Sequence, residues 1–215
     1  KNLRTFVPNI PKARVVEIGS GLGGRLVRLQ QEGINILGVE FNPDRCQITR
    51  LRGARYGIAD GVVTGIAEAL PIKDNAADVV IAYEVLEHVF DPIEMLREIR
   101  RILSPDGIAF ITAHNRWTLF DHHFGLWGIS YMPRGLADAL LLRLGKGPFT
   151  RRSGVQLLSE MHYYSWGKLN TICAGMGFSL MDVREQKLLS RQGLSTRRGV
   201  ERKALEVLRS SGLLR

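Results

Sequence analysis

The stretch VVEIGSGLGG, residues 15–24, decides the fold. It opens as a short apolar run that ends in a glycine turn, which marks a buried strand running into a loop. The glycines then satisfy two spacings at once. Gly19, Gly21 and Gly24 give G-x-G-x-x-G, a loop that cradles a dinucleotide. Glu17, Gly19, Gly21 and Gly23 give acid-x-G-x-G-x-G. In both, a strand ends, missing side chains let backbone approach a ligand, and a helix amino-terminus begins beside it. Glu40, twenty-one residues after Gly19, suits either spacing, because a carboxylate there takes ribose hydroxyls. The loop alone leaves the ligand open.

Outward from the loop, strands and helices alternate. LGGRLVRLQQEG (22–33) places Leu22, Leu26 and Leu29 on one helical face and stops at Gly33. NILGVE (35–40) is a second strand, PDRCQITRLRG (43–53) a helix opened by proline, and GVVTG (61–65) a third strand. ADVVIAYEV (77–85) is a fourth strand and DPIEMLREIRRILSPDG (91–107) a helix with Ile93, Leu96, Ile99 and Leu103 on one face. GIAFITA (107–113) is a fifth strand. This order predicts an α/β fold, a doubly wound and mostly parallel sheet covered by helices. A helical and aromatic insertion, 114–152, follows the fifth strand, at the sheet edge where such folds bind ligands. The alternation resumes over 153–183, with a helix over 165–178 and a strand at 179–183, before a basic tail, 184–215. The whole reads as one domain of 215 residues.

With 45% hydrophobic and 24% charged residues, the chain can bury a core and is not a disordered polymer. Residues 1–112 hold fourteen cations and fourteen acids, whereas 113–215 hold sixteen and seven. The excess in the second half suits an anionic partner or a plain solvated surface. Two cysteines without metal-ligand spacing fit a reducing cytosol. No run of eighteen apolar residues is present to span a bilayer.

The later motifs choose between the two ligands. VVEIGSGLGG, GVEFNP, GIAEALPIKDNAADVVIAYEVLEHVFDP and ILSPDGIAFIT together resemble class I S-adenosylmethionine (SAM) dependent methyltransferases, of the small-molecule, quinone-biosynthesis-like type 11 group. The resemblance covers about residues 13–113, and the stretch from Ala67 to Pro92 has no counterpart in dehydrogenases. It implies SAM as methyl donor. Glu17 would hold the methionine ammonium, Gly19 and Gly21 would let backbone pass under the donor, and Glu40 would bind the ribose hydroxyls. Phe41 would lie against the adenine, unless it is a plain core residue; Ala67 and Glu68 would meet the adenine edge. Tyr83 would stand near the methionine portion. Where the family commonly has Gly-Asp-Ala-Glu, this chain reads Gly65-Ile66-Ala67-Glu68, and Ile66 cannot accept from the adenine amino group. Glu68, backbone or apolar contact must replace that bond.

Methyl transfer needs an aligned acceptor, a water-free site and, for a hydroxyl acceptor, a base. His88 and His123 are the expected candidates, because imidazole titrates near neutrality. His114 follows the fifth strand at the ligand edge, and Asp121 is placed to orient His122 or His123. No metal site is expected, since adjacent histidines in a strand point to opposite sides and Asp121, His122 and His123 lack a further ligand at clear spacing. Trp127, Tyr131, Met132, Leu136, Leu140 and Leu144 would form an apolar lid bordered by Arg134, Arg143, Lys146, Arg151 and Arg152. That pattern predicts a small-molecule or lipid-linked acceptor and a peripheral membrane contact through 119–146. A cytoplasmic enzyme, peripheral to a membrane's inner face, is the expectation. Nucleic-acid methylation is disfavoured, as AYEVLEH replaces the Asn/Asp-Pro-Pro-aromatic motif that grips a flipped base. A non-catalytic SAM-binding scaffold is the remaining alternative, permitted by Ile66.

Overall fold

The computed structural model describes residues 7, 10–58, 61–146 and 156–183. Two compact units divide the chain, residues 1–165 and residues 166–215. The first holds a five-stranded sheet: β1 (Val15–Ile18), β2 (Ile36–Glu40), β3 (Val62–Thr64), β4 (Ala77–Ala82) and β5 (Leu103–Ile111). Every strand pair is parallel, in the order β3-β2-β1-β4-β5. β1 pairs Glu17 with Gly38 on one side and with Ile81 on the other. All four β1 residues are buried, as a central parallel strand covered on both faces requires. The strand order reverses between β1 and β4, so a crevice opens at their carboxyl ends.

Helices α1 (Gly24–Gln31), α2 (Pro43–Ala54) and α3 (Pro92–Ile102) connect these strands. α2 and α3 start by the same device: Asn42 accepts from the Asp44 and Arg45 amides, Asp91 from those of Ile93 and Glu94, and a proline follows each cap. α3 buries Met95, Leu96, Ile99 and Ile102. It ends at Ile102 rather than at residue 107, because Leu103 turns extended and joins β5, and Pro105 disfavours helix before it. The first helix likewise starts at Gly24, not Leu22: Gly23 is left-handed at φ 71°, and Leu22 is left exposed in the loop.

The insertion forms its own small core. β6 (Phe120–Asp121) and β7 (Leu126–Trp127) pair antiparallel, a 3-10 turn spans Ile129–Tyr131, and α4 covers Arg134–Arg143. Phe124, Ile129, Ala137, Leu141, Leu158, Met161 and Tyr163 pack together. α4 therefore buries Ala137 and Leu141, whereas Leu136 and Leu144 of the expected lid face are exposed. The second unit is described over 166–183, where α5 (Trp166–Gly175) buries Cys173. Residues 179–182 form no strand, having no ladder partner for their backbone. Arg151, Arg152 and the basic tail lie outside the described residues.

Candidate active site

The glycine loop caps β1. Gly19 and Ser20 donate to the Val39 carbonyl, which ties the loop to β2. A Cβ on Gly23 would come within 2.4 Å of Thr49, and one on Gly19 within 2.5 Å of Val85. Gly24, by contrast, is the first helical residue, and a Cβ there would meet only the tip of Arg52. Of the two spacings in the sequence, backbone geometry therefore demands Gly19, Gly21 and Gly23, each at positive φ.

Two buried carboxylates stand on this loop. Glu40 Oε2 accepts from the Gly21 amide at 2.8 Å and Oε1 from that of Asn42 at 3.1 Å. Glu17 Oε1 accepts from Arg25 Nη1 at 3.1 Å, while its Oε2 is buried with no hydrogen-bond partner. Burial pushes Glu17 up to about 7, and the nearby Arg25 charge only partly opposes it. The Arg25 guanidinium lies 4.2 Å from the centre of the Tyr83 ring. Phe41 is 63% exposed, so it is not a core residue. Gly65 donates to the Glu40 carbonyl, which brings Ile66, also exposed, to the end of β2. Ala67 is buried, and Glu68 Oε1 accepts from the Phe90 and Asp91 amides.

Across the crevice, the segments after β4 and β5 run together, since Ala82 pairs with Ile111. Glu84 adopts φ 56°, and its amide donates to Thr112 Oγ1 at 2.6 Å. That left-handed turn sends its carboxylate to His114, whose Nε2 is 2.9 Å from Glu84 Oε2. Glu87 is fully buried. Its Oε1 lies 3.1 Å from His114 Nε2 and 3.5 Å from His123 Nε2, yet neither Glu87 oxygen has hydrogen-bond alignment with a partner. Burial pushes Glu87 up, but the His114 and His123 rings outweigh it and hold the carboxyl at about 2. Glu87 in turn raises His114 to about 9 against the opposing effect of burial, with Glu84 adding to the rise.

The two histidines expected as bases are placed differently. His123 is in the cluster, its Nε2 3.0 Å from that of His114. His88 stands beside it, edge-on to His123 at 5.3 Å, with Nδ1 2.7 Å from Gln156 Oε1 and Nε2 4.0 Å from Glu87. Asp121 does not orient an imidazole. It is buried, accepts from the His123 and Phe124 amides through Oδ1, and takes the Ser130 and Tyr163 hydroxyls on Oδ2. His122 is exposed against Phe120. Two of the expected border cations are engaged by backbone: Arg134 donates to the Leu158 carbonyl and Lys146 to that of Phe124. Sequence reasoning passed over Glu84 and His114 as members of one cluster. The signal was available: E-x-x-E after β4 and a histidine after β5 meet wherever those strands are neighbours.

The family described as Methyltransferase domain matches residues 16–111. A ubiquinone biosynthesis O-methyltransferase of Parvibaculum lavamentivorans is 30% identical over 129 residues, covering 58% of this chain and 51% of that protein. Relatives of the same name match over up to about two thirds of their length, so the chain spans only half to two thirds of these proteins. A solved structure from Thermotoga maritima, a "SAM-dependent methyltransferase, possible histamine N-methyltransferase", is 26% identical with a TM-score of 0.54, covering 83% of this chain and 70% of that one. The fold is shared with a SAM-dependent methyltransferase of Mesorhizobium loti, 20% identical, TM-score 0.61, over 89% and 88% of the two chains. Over residues 16–111 this chain therefore matches a methyltransferase domain of the type 11 family, whose fold it shares with SAM-dependent methyltransferases.

Proposed function

We propose that the chain transfers the methyl group of SAM to a hydroxyl oxygen of a small acceptor with an apolar body, free or lipid-linked. One observation carries this reading: a donor-binding crevice and a buried carboxylate–imidazole cluster share the carboxyl edge of β1, β4 and β5, beneath an insertion rich in aromatics. The residues suit the donor. The unpartnered, buried Oε2 of Glu17 matches an ammonium group, which would supply the charge that burial withholds. Glu40, already anchored to the loop, faces ribose hydroxyls. Gly19 and Gly21 keep the floor open, and Tyr83 lines the methionine end. The exposed Phe41 ring and Ile66 offer adenine an apolar clamp, with Ala67 behind them. Glu68 is committed to the Phe90 turn, so apolar contact replaces the missing aspartate of the adenine loop. SAM supplies an electrophilic methyl; the chain's own work is to orient the acceptor, exclude water and manage the hydroxyl proton. The cluster around Glu87 is the group placed to do the last.

The name borne by the curated relatives supports transfer to oxygen. The ribbon at Leu119 and Trp127, 65% and 76% exposed, supports an acceptor met at a lipid surface. No described helix is long and apolar enough to cross a membrane. The test is calorimetric titration with SAM and its demethylated product, followed by labelled transfer to phenols, catechols and hydroquinones with and without a prenyl chain. Transfer to a hydroxyl is expected, favouring the prenylated acceptors. Label recovered on nitrogen or RNA, or no SAM binding, overturns the reading.

A further inference from the structure

We propose that Glu84, Glu87, His114 and His123 bind a divalent transition-metal ion of the zinc type, and that this ion takes the acceptor hydroxyl as its next ligand. The binding of the ion stands on these four side chains alone; its role toward the acceptor rests on the methyl-transfer reading above.

One donor atom from each residue lies within 4.8 Å of every other. His114 Nε2 is 2.9 Å from Glu84 Oε2, 3.1 Å from Glu87 Oε1 and 3.0 Å from His123 Nε2. His123 Nε2 is 3.5 Å from Glu87 Oε1 and 3.7 Å from Glu84 Oε2. A tetrahedral ion with bonds of about 2.0–2.1 Å has ligand–ligand edges of roughly 3.3 Å, and the five separations straddle that length. Two imidazoles with two carboxylates form a borderline-soft donor set, which selects zinc-like ions over calcium or magnesium.

Glu87 gives the second, independent reason. It is fully buried, and neither oxygen has a hydrogen-bond partner. Its Oε1 lies near two imidazole nitrogens, yet neither oxygen is aligned for a hydrogen bond, so the carboxylate is imperfectly satisfied and coordination of a cation would complete it. Two Nε2 atoms aimed at one point have the same difficulty, because a single proton satisfies only one such contact.

The surroundings fix the segments that carry the donors. The Glu87 carbonyl accepts from His162, and the His114 carbonyl from Tyr164. The Tyr163 ring stacks on His114 with centroids 5.3 Å apart, and its hydroxyl donates to Asp121 at 2.8 Å. Asp121 accepts in turn from the His123 amide. One buried network thus holds the His114 ring through Tyr163 and the His123 backbone through Asp121. Glu84 alone among the four is exposed, so the cluster opens on its side, and the neighbouring Tyr83 lies under Arg25, which donates to Glu17.

The ion would lower the pKa of the hydroxyl it holds, and that proton would pass to water. The oxygen lone pair then forms the O–CH3 bond as the S–CH3 bond breaks. The sulfonium charge is cancelled, leaving a neutral thioether and a methyl ether, with no oxidant or reductant required.

The experiment uses the tag-free full chain, stripped with chelator and titrated with zinc chloride. One equivalent is expected per chain, with a rise in Tm. Glu87→Gln and His114→Asn should each weaken binding by about a hundredfold or more, while His122→Ala binds as wild type. Cobalt(II) should give visible absorption of a four-coordinate ion in wild type and lose it in Glu87→Gln. SAM titration of each variant guards against misfolding: unchanged donor affinity shows an intact fold. No stoichiometric zinc, or equal affinity in wild type and a His114→Asn, His123→Asn double variant that still binds SAM, overturns the site. Stoichiometric zinc with undiminished hydroxyl methylation after chelation overturns its role. Failure of the methyl-transfer reading is separate, since it appears as absent SAM binding or label on another atom while the zinc titration still reports the site.

Discussion

Glu17 shows how one residue couples stability to the ligand. Its carboxyl titrates near 4.3 in an unfolded chain and is raised to about 7 in the fold. Between these values the folded state holds a proton that the unfolded state has lost. Stability therefore falls as pH rises through that window and levels off above it, by an amount on the order of 3 kcal/mol at the full shift. Urea unfolding at pH 5 and pH 8 should show the fall, and Glu17→Gln should flatten it while weakening SAM binding at least tenfold. A wild-type curve that rises over the same interval would contradict the assignment. The glycines permit a second comparison. Gly19→Ala meets Val85 at 2.5 Å in a left-handed conformation, whereas Gly21→Ala is left-handed with nothing within 4 Å. Gly21→Ala should cost about 1 kcal/mol of backbone strain alone and Gly19→Ala clearly more, about 2–4 kcal/mol, read from paired urea midpoints.

At the scale of elements, segments whose burial follows from their own sequence were legible, and segments whose burial depends on a distant partner were not. VVEI and ADVVIA are apolar throughout because both faces of a central parallel strand are covered, so the sheet could be read directly. Asn42-Pro43 and Asp91-Pro92 announced two helix starts for the same local reason. The end of α3 was lost because the charged face of DPIEMLREIRRI leads smoothly into LSPDG, and only pairing of Leu103 with Ala77 draws that residue into β5. α4 misled because Leu136, Leu140 and Leu144 have helical spacing, yet the core of the insertion lies under Ala137 and Leu141. That core depends on residues 158–163, remote in sequence. Of the site, the loop side was legible through its motif, while the cluster was not, since it needs β4 and β5 side by side. The Asp121–Tyr163 contact joins ribbon to core, and Tyr163→Phe tests it. Loss of a buried hydroxyl bond to a carboxylate should cost about 1.5–3 kcal/mol in thermal or urea unfolding, with α/β signals in circular dichroism unchanged.

At the scale of the whole molecule, charge and apolar exposure are unevenly distributed, and the two features make different demands on a surface. The chain carries a net charge of +9, and its excess of cations falls wholly within residues 113–215. In the same half, Trp127 stands exposed on β7 beside Leu119, whose carbonyl accepts from Gly128. On the reading proposed above, a lipid interface would satisfy both, taking apolar side chains into the acyl boundary and cations at the headgroups. If the ribbon inserts, neutral vesicles should retain measurable binding and anionic vesicles should strengthen it in a salt-sensitive way. Trp127→Ala with Leu119→Ala removes apolar area worth about 2–4 kcal/mol on full burial, so binding to both kinds of vesicle should fall at least tenfold. If charge alone drives adsorption, the double variant will bind anionic vesicles as wild type does, and neutral vesicles will bind neither protein. Co-sedimentation at two salt concentrations separates these outcomes. Transfer rates on a prenylated phenol embedded in the same vesicles then show whether binding brings the acceptor to the crevice, because the double variant should lose activity there while keeping it on a water-soluble phenol.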